Sequence, residues 1–170
     1  MESYQFYKSL YDRELNRRKD LDSAVNLPIT ILSILVAANL YLIDILGSIE
    51  QTYIILISNI SLFLVVLSFL TSIFFLTRSY NNLFKGFGYR NLAYSQDIRK
   101  YEKQTLEYNE KQIDIDKKIN FENIIIDKLT ELTDSHIIFN DKRSLDVYKA
   151  KTFIIITLIL TGIRFLVIIF

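Results

Sequence analysis

Polar and apolar residues in this chain are sorted into long blocks instead of being mixed. Residues 23–43 and 52–77 contain no charged side chain, and residues 152–170 contain one, Arg164. About 20 apolar residues at 1.5 Å rise cross a hydrocarbon core of about 30 Å, so each block predicts a transmembrane helix. The 22 residues before the first block, MESYQFYKSLYDRELNRRKDLD, are polar and charged. They do not read as a signal peptide, and the first block is therefore expected to be a retained span. Pro28 at its entry suits the first turn of a helix and separates it from the polar helix before it.

The stretch between the second and third blocks carries a different rhythm. Ile98, Tyr101, Thr105, Tyr108, Gln112, Ile115 and Ile119 recur at spacings of three and four, and Ile125, Leu129, Leu132, His136 and Phe139 repeat the pattern. Each stripe is the packing seam of a helix, and together they predict a helical hairpin over about 91–120 and 122–139. GFGY at 86–89 is the expected break after the second span, whose helix is expected to run on to Phe84. NDKRS at 140–144 reads as a turn with Asp141 or Ser144 capping the last helix. The fold class that follows is an all-α integral membrane protein. Its expected parts are a cytoplasmic helix (1–26), a transmembrane hairpin with a short outer loop at 44–51 (27–78), a cytoplasmic helical hairpin (79–146) and a third transmembrane helix (147–170).

Loop charge sets the expected orientation. The N-terminal stretch has Lys8, Arg13, Arg17, Arg18 and Lys19; DILGSIEQ has no Lys or Arg; Arg78, Lys85, Arg90, Lys149 and Lys151 flank the later spans. Positive charge stays inside, so the N-terminus and the long polar segment face the cytoplasm. Tyr41, Tyr53, Tyr80 and Tyr148 fall at the matching interface depths.

Composition narrows the function classes. Only 4 Gly and 1 Pro leave few helix breaks, 0 Cys removes disulfides and thiol chemistry, and a net charge of +1 speaks against nucleic-acid binding. His136, near Asp127, Glu131 and Asp134, invites a metal reading, but Asp134 and His136 point to different helix faces and a buried helical histidine is preferred. Asp114 and Asp116 diverge for the same reason, so they make no acid–base pair. No phosphate loop, nucleophile elbow or HExxH motif is present, and neither an enzyme nor a cofactor is expected.

Within the spans, small and polar residues stay in register. Span one carries Thr30, Ser33, Ala37 and Asp44; span two Ser58, Ser61, Ser68, Ser72 and Ser79; span three Ala150, Thr157, Thr161 and Arg164. Such stripes are helix contact faces, or, when copies assemble, the lining of a water-filled path. Counting residues puts Asn39, Asp44, Asn59 and Arg164 in one polar layer of the outer half. An intramembrane charge pairs or faces a cavity, so Arg164 is expected to pair with Asp44 within or between subunits, or to snorkel outward.

A polar lead helix (YDRELNRRKDLD), a short outer loop (DILGSIEQ) and a charged helix after the second span (YEKQTLEYNEKQIDIDKK) give a layout that resembles the SLATT proteins. Those are two-transmembrane effectors of prokaryotic defence systems, and the likeness covers about residues 5–140. It implies a membrane-permeabilising module in a bacterial inner membrane, active as a homo-oligomer and switched by a partner sensor in anti-phage defence. The third apolar block departs from the two-span pattern. The alternative is a structural or regulatory membrane subunit that anchors a cytoplasmic partner through the hairpin.

Overall fold

The computed structural model describes residues 2–80 and 88–169. Among the described residues 87% are helical and there is no strand. The elements are α1 (Glu2–Ser23), α2 (Asn26–Leu46), α3 (Thr52–Ser79), α4 (Ser95–Lys111), a 3-10 turn (Ile115–Lys117) and α5 (Phe121–Ile169). Three of the helical stretches are long and apolar enough to cross a membrane. The expected run of helix from the second span to Phe84 is broken earlier: α3 ends at Ser79 and Tyr80 is extended (φ −68°, ψ 119°). Residues 81–87, with Gly86 and Phe87 of the expected break, lie outside the described residues.

Two expectations about helix ends change. The polar lead helix stops at Ser23, because Ala24 and Val25 form a turn before α2. Val25 keeps helical dihedrals (φ −83°, ψ −18°), so the break is shallow, and Pro28 falls in the first turn of α2 as anticipated. NDKRS, by contrast, is no turn. Residues 121–161 contain neither Gly nor Pro, and α5 runs through 140–144 without interruption. Capping by Asp141 or Ser144 has no helix end to act on.

The chain divides into two compact units, Met1–Arg18 with Phe87–Asn140 and Lys19–Gly86 with Asp141–Phe170. The divisions fall at 18, 86 and 140.

The second unit holds α2, α3 and the C-terminal part of α5. Ser61, Ser68 and Ser72 of α3 meet Leu160, Phe153 and Ala150 of α5, so these two helices run antiparallel. One end of the unit is an apolar cluster of Val25, Leu32, Leu35, Leu76, Val147, Ala150 and Ile154. Beyond it lies a set of charges. Arg78 grips Asp146 through Nε and Nη2 at 2.8 and 2.5 Å. Arg143 donates to the Ser79 carbonyl at 2.7 Å and to Asp22 at 2.6 Å.

Burial in this unit inverts the arrangement of a water-soluble bundle. Serines 58, 61, 68, 72 and 79, threonines 157 and 161, Asn39 and Arg164 are buried, while Ile34, Phe63, Leu67, Leu70, Ile155 and Leu158 are exposed. An isolated exposed leucine is ordinary, but a bundle with hydroxyls inside and isoleucines outside is compatible with an apolar surrounding. The α3 stripe (Ser58, Ser61, Ser68, Ser72, Ser79) and the α5 stripe (Ala150, Thr157, Thr161, Arg164) are both buried, as their register anticipated.

The stripe on α2 is not. Its buried face is Pro28, Leu32, Leu35, Asn39 and Leu42, and Ser33 and Ala37 lie on the exposed side. The hydroxyls of Thr30 and Ser33 donate to carbonyls of their own helix, Asn26 at 3.2 Å and Ile29 at 3.0 Å. A hydroxyl satisfied by its own helix needs no partner helix, so leucines are free to make the contact. This difference has a measurable consequence. Ser72→Leu must force a larger side chain against the fully buried Ala150, and we expect a loss of about 1–3 kcal/mol in detergent unfolding. Ser33→Leu, on the exposed face of α2, is expected to stay within about 0.5 kcal/mol of wild type.

In the first unit, Leu129, Leu132, Thr133, His136 and Asn140 form the buried face of α5, with Thr105 of α4, Tyr89 and Glu14 also buried. The second heptad stripe is therefore the core seam. The first is realised only in part: Tyr101 and Tyr108 are half-exposed, and α4 ends at Lys111, leaving Ile115 outside it. At the surface, a hydrogen bond from Lys128, with Arg90 on its other side, holds the exposed Glu131 carboxyl below the usual range.

Candidate functional site

Arg164 is the largest fully buried side chain, at 0% exposure. It lies four turns of α5 beyond Ala150, at the end of the bundle opposite the Arg78–Asp146 pair. Its Nε donates to Ser58 Oγ at 3.0 Å. Its Nη1 donates to the Asn39 carbonyl at 3.3 Å and to Asn39 Oδ1 at 3.1 Å. Asn39 is itself held, since Nδ2 donates to the Leu35 carbonyl and to Thr161 Oγ1, each at 2.9 Å. Nη2 of Arg164 has no partner.

All the partners found are neutral. A guanidinium keeps its charge, and a buried charge is ordinarily matched by a carboxylate or another ion. Here three dipoles stand where a counter-charge is expected. They reduce the cost of burial without cancelling it, and one edge of the guanidinium remains bare.

The expected polar layer is thus half assembled. Asn39 and Arg164 meet, whereas Asp44 and Asn59 are exposed. At 100° per residue, Asp44 lies about 140° around α2 from Asn39, and Asn59 about 100° around α3 from Ser58. Helical phase turns two of the four side chains outward. Within this chain Arg164 bonds Ser58 and Asn39 and not Asp44, and its side chain turns into the bundle.

Below this site, the hydroxyls of α3 and α5 form a continuous seam. Ser61 donates to the Leu160 carbonyl at 3.4 Å, Ser68 to that of Phe153 at 2.9 Å, and Ser72 to that of Ala150 at 3.2 Å. Thr157 adds contacts to Ser68 Oγ at 2.9 Å and to the Phe153 carbonyl at 2.8 Å. Small side chains let the two backbones come close enough for these bonds.

A second buried polar cluster, unforeseen from the sequence, lies in the first unit. Asn140 Nδ2 donates to the Glu14 carbonyl and to Glu14 Oε2, both at 3.0 Å, while Tyr89 donates its hydroxyl to Asn140 Oδ1 at 2.6 Å. Arg13 and Arg17 approach the Glu14 carboxylate at 3.3 and 3.5 Å. Alongside, His136 contacts Tyr11 and Tyr89, with ring centroids 5.4 and 5.2 Å away. Its Nε2 is 2.8 Å from the Arg90 carbonyl, which fixes the proton on that nitrogen. Apart from Arg13 and Arg17, which neighbour Glu14 in sequence, the hydrogen-bonded partners lie 46 to 126 residues apart, so no local spacing announces them. Among the described residues, no group of three or more His, Cys, Asp or Glu converges as metal ligands would.

The fold and the site define a class: among the described residues, an all-helical protein with three helices long and apolar enough to cross a membrane, and a guanidinium enclosed among neutral partners inside the bundle. Comparison with family models, with curated proteins and with solved structures found no match for this chain.

Proposed function

We propose that this chain is a non-enzymatic membrane effector that permeabilises the bacterial inner membrane when a partner sensor signals, in the manner of the SLATT resemblance. The N-terminus and the first unit face the cytoplasm, copies assemble in the membrane, and the three-helix bundle is the closed form. Anti-phage defence is the setting the resemblance implies.

The observation that carries the reading is the enclosed charge of Arg164 at the end of a hydroxyl seam. Without a counter-charge, the closed bundle holds Arg164 at a cost that water would relieve. Separation of α3 from α5 hydrates the guanidinium and exposes Ser61, Ser68, Ser72, Thr157 and Thr161 as a polar lining. A closed form raised in energy needs only a modest difference in partner affinity to be displaced.

Induced expression beside the native neighbouring genes, followed with a membrane-potential dye, tests this. Depolarisation is expected for wild type and is expected to fall about tenfold or more for Arg164→Met, whose closed bundle no longer encloses a charge. An undisturbed potential with neighbours and trigger supplied, or equal depolarisation by both chains, rejects the reading. A structural subunit is the second reading. It is favoured by the hydroxyl seam, whose Ser61, Ser68, Ser72 and Thr157 all find partners within one chain. That version predicts capture of a cytoplasmic partner by the first unit with no change in potential.

A further inference from the structure

The segment joining α4 to α5 is a built loop. Asn109 closes it with two bonds: Nδ2 donates to the Ile119 carbonyl, and the Ile119 N–H donates to Oδ1, each at 2.8 Å. Inside the loop, Asp114 accepts from the Asp116 N–H at 3.2 Å and pairs with Lys117 at 3.5 Å. What this framework presents is apolar. Ile113 is 103% exposed and Ile115 is 78% exposed. Two isoleucines held in water on a braced loop have no role in the unit's own core.

The same unit carries an apolar groove of about 530 Å³ between α4 and the start of α5. Leu92, Ala93, Ile98, Tyr101, Ile124 and Ile125 line it, and its rim is acidic, with Asp97 and Asp127. Glu131, also at the rim, is already engaged by Lys128 and Arg90. Among the described residues, Asp97 and Asp127 have no ion pair.

We propose that the Ile113–Ile115 tip of one copy docks into this groove on a second copy, with Lys118 meeting Asp97 and Asp127 at the rim. The charge pattern selects this occupant over a lipid surface. From Glu110 to Lys118 the tip has three acidic and three basic residues, so nothing draws it to an anionic bilayer, whereas its basic end matches the acidic rim. Each copy carries both tip and groove, so two copies can satisfy one another twice. The contact stands whether or not the assembly conducts ions.

The chain has 0 Cys, so single cysteines report contacts without background. Two differently tagged full-length chains, one Ile113→Cys and the other Ala93→Cys, are co-expressed, and their membranes are treated with a short bis-maleimide. A heterodimer carrying both tags is expected, well above a control pair of Lys103→Cys with Ala93→Cys. Adding Ile115→Asp to the first chain is expected to reduce it by roughly tenfold or more, the association lost with one buried isoleucine. Asp97→Lys with Asp127→Lys is expected to weaken it as well. Both isoleucines are exposed, so the chains should accumulate normally, which immunoblotting of the membranes checks. A heterodimer no stronger than the control, or one indifferent to Ile115→Asp, overturns the proposal. So does protection of Ile113→Cys from a membrane-impermeant maleimide in chains that give no heterodimer, which would assign the tip to lipid.

Discussion

Replacing Asn39 with leucine is expected to lower the stability of the bundle by about 2–3 kcal/mol, the cost of stripping hydrogen bonds from a buried charge. The side chain Oδ1 is the nearest acceptor Arg164 has besides Ser58, and Nδ2 ties the site to Thr161. Leucine removes both and leaves the Asn39 carbonyl as the other remaining acceptor. Arg164→Met should behave in the opposite way. With no carboxylate opposite, removing the charge leaves no orphaned ion, and similar replacements in soluble proteins are neutral or stabilising by about 1–4 kcal/mol. The double variant is therefore expected to be close to Arg164→Met alone, and far from the sum of the two single changes. Reversible unfolding in mixed detergent micelles measures all four corners of the cycle. Hydrogen bonds between neutral groups in membrane proteins average only about 0.6 kcal/mol, so a coupling of about 2 kcal/mol marks the charge. An Arg164→Met chain as unstable as Asn39→Leu, or strictly additive effects, would mean that Arg164 is well compensated in the closed bundle. The proposal of a poised closed form would then lose its basis.

What could be read from the sequence follows from which interactions are local. Two of the apolar blocks are uncharged and the third holds only Arg164, so three helices long and apolar enough to cross a membrane were legible in residue counts. The α3 and α5 stripes were legible because their hydroxyls face a partner helix, making register and burial coincide. On α2 the same rule misled. Thr30 and Ser33 satisfy themselves on their own helix, and Leu32 and Leu35 took the contact face. Sequence spacing finds periodic residues but does not say which period faces inward. Charge and depth single out Arg164 as the anomaly and offer two outcomes, pairing with Asp44 or snorkelling outward, with Asn39 only a neighbour in depth. Phase around the helix overrode charge. The 140–144 segment illustrates the converse error. Its residues favour turns in isolation, but Asn140 is engaged by Glu14 and Tyr89, and a helical stretch with no Gly or Pro from 121 to 161 continues through it.

That engagement makes Asn140→Asp the most disruptive isosteric change in the first unit. The new carboxylate would lie about 3 Å from Glu14 Oε2, where an amide N–H now donates. A bond between opposite partial charges becomes a like-charge contact in a site where Asn140 is 0% and Glu14 3% exposed. Losing a charged hydrogen bond and burying a second carboxylate is expected to cost about 3–5 kcal/mol at pH 7. Two carboxylates this close relieve their repulsion by sharing a proton, so the loss should shrink as pH falls toward 5. Wild type has an amide at this position and should show no such gain on acidification. Glu14→Gln in the same chain is expected to recover roughly half or more of the loss at pH 7, because the pair again contains one carboxylate and one amide. Tyr89→Phe offers a mild comparison, at about 1 kcal/mol for a single neutral hydrogen bond. Thermal unfolding of the full chain in detergent at the two pH values reads all of these. If Asn140→Asp loses as much at pH 5 as at pH 7, and Glu14→Gln does not rescue it, the two side chains are not the close pair described, and α1 does not meet α5 through them.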